Sequence, residues 1–332
     1  MPVRRIDRRH LIRGSAATLA AQLLPKSYAI AQTKYPASPI RLVVPYAPGG
    51  VVDAMGRIWA DRMKAFGTIV VENQGGGGGT IGAASVAHAR PDGYTLLFGD
   101  TSSQIIAPYL LRHPPYDGLK DFVAISMIAT SSTAIVVNPK VPAANLDEFI
   151  KYAQTNQARL SYASAGTGTV THLAGELFKQ LTNTPGILHV PYRGAGPGLI
   201  DVISGVVPMM TPNVTSQVLD FHRAGSLRIL AVCASAPLKA APDIPAAAEI
   251  LPGLVVGLTC GVLAPAATAP SITDQLSEAT GAIARQGEFA DALRASGLEV
   301  RPDVTQAASQ AFLAAERERL IPIIRKAGLE PQ

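Results

Sequence analysis

The sequence is short of cysteine, of charge and of metal-ligand spacings, and each shortage closes off a class of protein. Its only cysteines are Cys233 and Cys260, each inside a strongly apolar segment. Buried thiols are the expected state, because Cys packs as a small hydrophobe, while their spacing leaves a disulfide open. The six histidines form no metal motif: His172 and His189 stand apart from each other and from any cysteine, so no metal ion is expected. No apolar stretch beyond residue 31 reaches transmembrane length. Nor is there an internal repeat of solenoid period.

The net charge of +5 belongs to one end of the chain. Residues 7–13, DRRHLIR, have the form of a twin-arginine export motif; a mild apolar segment at 16–24 and the small-x-small site Ala29-Ile30-Ala31 follow it. Cleavage would leave Gln32 first. No cysteine follows the cleavage site, so no lipid anchor is indicated. Of the 29 Lys and Arg, six lie in residues 1–31, and of the 24 Asp and Glu one does, which leaves 23 of each. A neutral mature chain has no basic stripe for nucleic acid or an acidic membrane. The expected product is an exported, soluble protein of 301 residues, long enough for two domains with real cores. Monomer is the default state.

What is present is organised around residues 40–53, IRLVVPYAPGGVVD. An apolar run of strand length meets Pro48-Gly49-Gly50 and then a helical stripe of Met55, Ile58, Trp59, Met63 and Phe66. In open α/β sheets ligands sit beyond the carboxyl ends of the strands, where this loop points. The first N–H groups of the following helix lack intrahelical partners and carry partial positive charge, so the turn reads as a carboxylate clamp.

The same alternation continues. Strands are predicted at 68–73 and 95–98 around a helix at 80–89, a β-α-β-α-β order that implies parallel pairing. A short helix at 104–111 and the bend HPPYD at 113–117 come next, then strands at 125–128 and 133–138, where the chain is expected to cross between lobes. A second α/β set has strands at 160–164, 187–191, 206–211 and 227–233, with helices at 146–155, 170–181 and 215–223. An Ala- and Pro-rich linker at 234–252 leads to an apolar return near 255–263 and to closing helices between 271 and 326. The expectation is a two-lobed α/β clamshell, each lobe a mainly parallel sheet flanked by helices. Its boundaries are residues 32–130 with 258–332 for the first lobe and 131–257 for the second.

Candidate chemistry is of three kinds. Residues 77–82, GGGTIG, satisfy G-x-G-x-x-G after a strand and before a helix, with Asp100 downstream. An exported redox enzyme holding a dinucleotide on the 75–82 loop is therefore one alternative. Five consecutive glycines match such a pattern by chance, however, and the loop is longer than the dinucleotide turn needs. Ser164 in YASAG resembles a nucleophile elbow without its first glycine. The third kind is three strand-to-helix loops of one style, small, hydroxyl-bearing and poor in acids. The first carries Ala47, Pro48, Gly49 and Gly50, with Asp53 either capping the helix or orienting the loop. The second carries Ser164, Gly166, Thr167, Gly168 and Thr169, the last as helix N-cap; the third carries Tyr192, Arg193 and Gly194. Charge-assisted hydrogen bonds contribute about 1.5–3 kcal/mol each, whereas micromolar affinity needs about 8 kcal/mol net. One helix terminus is too little, and anchoring from both lobes reaches it.

The order of these pieces resembles the Bug-type substrate-binding receptors of tripartite tricarboxylate transporters. The matching stretches are Tyr35-Pro36 with residues 40–53, VVEN at 70–73, PDGYTLL at 91–97, Asp121-Phe122, residues 161–168 with His172-Leu173-Ala174, HVPYRG at 189–194, LRILAV at 227–232, and residues 261–265. The resemblance implies a periplasmic type II binding-protein fold without a cofactor. It also implies a small carboxylate held between the lobes by the three loops and handed to a membrane permease. A carboxylate sensor serving a signalling partner is a further alternative. Two departures bear on the cleft wall: the family commonly has Trp where Thr259 or Cys260 stands here, and Pro-Gly-Ala-Gly-Gly where this chain has only glycine. A third is Pro245-Ala246, where the pattern has Pro-Thr.

Overall fold

A strand-to-helix rhythm governs the computed structural model, which describes residues 35–331. The export signal expected at residues 1–31 lies outside the described residues. The first half of the chain runs β1 (Ile40–Val44), α1 (Val51–Arg62), β2 (Ile69–Asn73), α2 (Thr80–Ala87), β3 (Thr95–Asp100) and, after a π turn over Ser102–Ile106, the single turn α3 (Ala107–Tyr109). Then come β4 (Phe122–Ser132), β5 (Ala134–Val137), α4 (Leu146–Asn156), β6 (Ser161–Ser164), α5 (Val170–Thr182), β7 (Leu188–Pro191) and α6 (Ala195–Ser204). The chain finishes with β8 (Met209–Met210), α7 (Ser216–Arg223), β9 (Arg228–Val232), β10 (Gly257–Pro265), α8 (Pro270–Ala284), α9 (Gly287–Ala295), β11 (Glu299–Val300) and α10 (Gln306–Lys326). No helix among the described residues is long and apolar enough to cross a membrane.

The strands form two sheets within one unit beginning at Ser38. The first has the order β11-β4-β10-β3-β1-β2 and the second β7-β6-β8-β5-β9. Both are mixed, where the sequence pattern implies mainly parallel sheets. The β-α-β units give the parallel pairs β1 with β2 and β3, and β6 with β7 and β8. The crossing strands do the opposite: β10 runs antiparallel to β3 and β4, and β5 antiparallel to β8 and β9. A strand entering from the other sheet has no crossover helix to reverse it, so it arrives head-on. The crossings are tied at one residue, because Thr133 N–H donates to Val256 O at 2.9 Å and Thr133 O accepts from Cys233 N–H at 2.7 Å.

Each sheet has its own core. Met55, Trp59 and Met63 of the predicted α1 stripe are buried, and Trp59 Nε1 donates to Thr280 Oγ1 at 3.2 Å, which pins α1 to α8. In the second, Val136, Met210, Val218 and Ile229 pack together, and the rings of Phe149 and Phe178 stack with centroids 5.7 Å apart. The strand expected at 206–211 shrinks to two residues. Gly205, at φ 86°, ends α6 in the left-handed region, and Pro208 offers no N–H for a ladder. Cys233 and Cys260 are buried free thiols, and burial pushes the Cys233 thiol up to about 12.

Candidate functional site

The loops at the carboxyl ends of β1, β3, β6 and β7 meet across the gap between the two sheets and line a narrow, partly open cavity of about 20 Å³, room for about one water molecule. From the first sheet's side come Tyr46, Gly50, Val51, Val52, Asp100 and Ser102. Ala165, Thr169, Val170, Thr171 and Ala195 come from the second, with Leu258 on the crossing strand β10 and Asn213 bridged to Thr133 at the crossing. Three helices therefore present their first residues to one space.

Local sequence explains how each is presented. Gly50 is the N-cap of α1 and has no side chain with which to cap it. Asp53, three residues on, reaches back instead: its Oδ2 accepts from Gly49 N–H at 3.1 Å, in the manner of a capping box. Its Oδ1 accepts from Arg57 Nε at 3.0 Å and Asn73 Nδ2 at 2.9 Å, and Asn73 also donates to Tyr46 O. Burial alone would raise the Asp53 carboxyl, but the bonds from Arg57, Asn73 and Gly49 outweigh it and hold the group below its usual value. Gly49, at φ 86°, adopts a conformation that glycine tolerates readily. Among the described residues no protein acceptor meets the N–H of Val51 or Val52, and both residues line the cavity. Asp53 braces the loop from behind and is not part of the lining. Asp53→Ala is expected to cost about 2 kcal/mol by stranding the Gly49 and Asn73 donors, which urea unfolding measures directly.

The second loop is held from below by two histidines. Ser164 Oγ lies 2.7 Å from His189 Nε2 and accepts from Gly166 N–H at 3.1 Å. Gly168 N–H donates to His172 Nδ1 at 3.2 Å. The two imidazoles stack with centroids 4.1 Å apart. Ser164 is fully buried beneath the loop, out of a substrate's reach, so the resemblance to a nucleophile elbow ends. Thr169 is the N-cap of α5 as expected, accepting from His172 N–H at 3.2 Å, and it lines the cavity; Thr167 is exposed. In the third loop Tyr192 OH donates to Asp201 at 2.5 Å and Gly194 caps α6 without a side-chain bond. The Arg193 side chain is exposed and outside the lining.

Main-chain N–H groups join the loops. Ala47 N–H donates to Arg193 O at 3.0 Å and Val170 N–H to Ser102 Oγ at 3.0 Å, each across the gap. The glycine run belongs to this seam. A Cβ on Gly78 would fall 2.0 Å from Thr167 O, and one on Gly75 would fall 2.7 Å from Arg193 O. The space a pyrophosphate would take against residues 75–79 is filled by the opposite loops, so the dinucleotide alternative loses its site.

Of the residues the motifs single out, Gly50 and Thr169 line the cavity. Ala47, Pro48, Gly49, Gly166, Thr167, Gly168 and Gly194 lie on the seam or beside it, with Arg193 contributing its carbonyl. Ser164 and Tyr192 lie beneath it, the latter donating its N–H to Ser164 O at 3.0 Å. The motifs pass over Tyr46, Ser102, Thr171, Asn213 and Leu258, all of which line the cavity, and offer Asp100 only as a ribose partner. One signal for Asp100 and Ser102 is present in the sequence, since Asp100-Thr101-Ser102-Ser103 is a fourth strand-to-helix loop of the same hydroxyl-rich style. Asn213 and Leu258 carry no motif.

The profile described as "Tripartite tricarboxylate transporter family receptor" matches residues 57–329. The chain is similar to the solved periplasmic binding protein BugD, with 30% identity, a TM-score of 0.85, and coverage of 90% of this chain and 100% of that one. It is also similar to MatC from Rhodopseudomonas palustris with bound malate, at 29% identity and TM-score 0.82, covering 87% and 100%. R. palustris Rpa4515 with adipate matches at 28% identity and TM-score 0.85, covering 90% and 100%.

Proposed function

Because the chain belongs to the tripartite tricarboxylate transporter family of receptors, which are binding proteins and not enzymes, we propose that it captures a small organic carboxylate in the cavity between its two sheets. It then delivers that ligand to the membrane subunits of a transporter of the same type. In this reading it works in the periplasm, as BugD does. The observation that carries the proposal is a pair of helix N-termini without side-chain caps, α1 from one side and α6 from the other, at one narrow cavity between the loops. Each offers unpaired N–H groups and a partial positive charge to an anion. The apolar walls given by Val51, Val52, Val170 and Leu258 suit a hydrocarbon body. Malate and adipate, bound by two relatives, combine these same features.

The residues then divide by role. Gly50, Thr169 and the helix termini they open hold the ligand. Ala47, Pro48, Gly49, Gly166, Thr167, Gly168, Arg193 and Gly194 form the rim that closes over it, while Asp53, Ser164 and Tyr192 fix the loops from behind. A thermal-shift screen of the purified chain against malate, adipate, aromatic carboxylates, amino acids and NAD tests the reading. A carboxylate at a hundred times its Kd is expected to add about 2.7 kcal/mol to stability. No shift from any carboxylate beside a clear shift from NAD would overturn it.

A further inference from the structure

The cavity has one charged residue in its lining, and that charge has the wrong sign for a simple anion receptor. Asp100 closes β3 and is 1% exposed. Its Oδ1 accepts from Tyr46 OH at 2.8 Å and from Ser103 N–H at 3.1 Å. Among the described residues no protein donor meets its other oxygen, Oδ2. The lining holds no Lys, Arg or His. Asp53, the other buried acid of the region, is answered by Arg57 and Asn73 and stays outside the lining. Tyr46 cannot supply a compensating charge. Burial first, and the Asp100 charge second, hold its phenol well above the usual range, so it remains a neutral donor.

A dicarboxylate placed here would bring two negative charges to a third, beside a carboxylate that is itself almost fully buried, where like charges repel strongly. A hydroxy acid could donate to Oδ2 yet would leave the charge unbalanced. A ligand carrying a protonated nitrogen answers both needs: it donates to the open oxygen and neutralises Asp100, while its carboxylate takes the helix N-termini. We propose, resting on the receptor reading above, that the ligand is a zwitterionic amino carboxylate and that Asp100 selects it. Ser103 N–H and Tyr46 OH act as positioning groups, fixing the carboxylate so that Oδ2 faces the cavity.

The test is calorimetry on the full chain with α-, β- and γ-amino acids, each paired with the same skeleton lacking the amine: L-aspartate with succinate, β-alanine with propionate, 4-aminobutyrate with butyrate. The amino member of the best pair is expected to bind at least tenfold more tightly, the range of one charge-assisted hydrogen bond. Asp100→Asn keeps an amide oxygen for Tyr46 and Ser103 and removes the charge. It is expected to abolish or reverse that preference while its melting temperature stays close to that of the parent chain. Tighter binding of the amine-free members by the parent chain, or an unchanged preference in Asp100→Asn, would overturn the zwitterion inference and leave the carboxylate receptor standing. Silence from both members of every pair, with parent and variant cooperatively folded, would remove the carboxylate reading and this inference with it.

Discussion

Replacing Gly196 by alanine is expected to weaken ligand binding roughly ten- to a hundredfold, while the free protein stays as stable as before or gains slightly. Gly196 is the second residue of α6 and does not occupy the left-handed region. A methyl group at a helical position favours the helix by up to about 1 kcal/mol. Across the gap it meets a different fate, because a Cβ there would lie 2.5 Å from Pro48 O. That oxygen is main chain in a loop braced by Asp53, so the clash is relieved only by parting the loops. Closed and parted forms thus respond with opposite sign, and a ligand that must be enclosed loses affinity by the shift between them. Calorimetry and thermal unfolding on one preparation separate the two effects. Unchanged affinity would sink the idea, and so would a fall in the melting temperature of the free protein large enough to account for the loss. Gly49 would make a poorer probe, since its φ of 86° strains alanine in either form.

This seam also shows what could and could not be read from the sequence. The order of strands and helices was legible because apolar runs bounded by Gly and Pro change period at each junction. The three loops followed from that order. Strand direction at the crossings was not legible, because whether β10 runs with or against β3 depends on where the chain arrives from. The glycine run illustrates a different failure. Residues 77–82 satisfy a phosphate-binding pattern because glycine permits close backbone approach, but the partners approaching the run that starts at Gly75 are the carbonyls of Thr167 and Arg193. Local pattern specifies the permission and tertiary structure specifies what uses it. Asp100 is a similar case. Its place at a strand end is in the sequence, whereas its isolation from any cation in the lining arises only when four segments enclose it.

The histidine pair was equally invisible, since 17 positions separate His172 on α5 from His189 on β7, and it leads to the second large effect. The chain is expected to lose stability steeply as pH falls from about 6.5 toward 4. Burial, with the Lys179 charge, pushes His172 down to about 4. Burial and the neighbouring His172, with Lys179 adding and Glu176 opposing, push His189 down to about 3. The groups facing the pair are Tyr162, stacked on His189 with centroids 4.8 Å apart, and Glu176, which accepts from Tyr162 OH and from Lys179. Unfolded, both imidazoles titrate near 6.5. Between these limits the unfolded chain binds protons that the native chain does not, so stability rises with pH. The contribution is complete above about 6.5 and is lost as pH falls through the native values. Near pH 5 unfolding should take up close to two protons from this pair, a slope of roughly 2.7 kcal/mol per pH unit. Protonation would also turn His172 Nδ1 from the acceptor of Gly168 N–H into a donor facing a donor, so the loop over the cavity should loosen first and ligand should be released before global unfolding. His172→Gln retains an acceptor for Gly168 and removes one titrating group, and is expected to lower proton uptake at pH 5 by about one. Urea denaturation at half-unit steps from pH 7.5 to 4.5 measures both. A flat profile above pH 5, or the same slope in His172→Gln, would show that the stacked imidazoles are not held neutral beneath the loop.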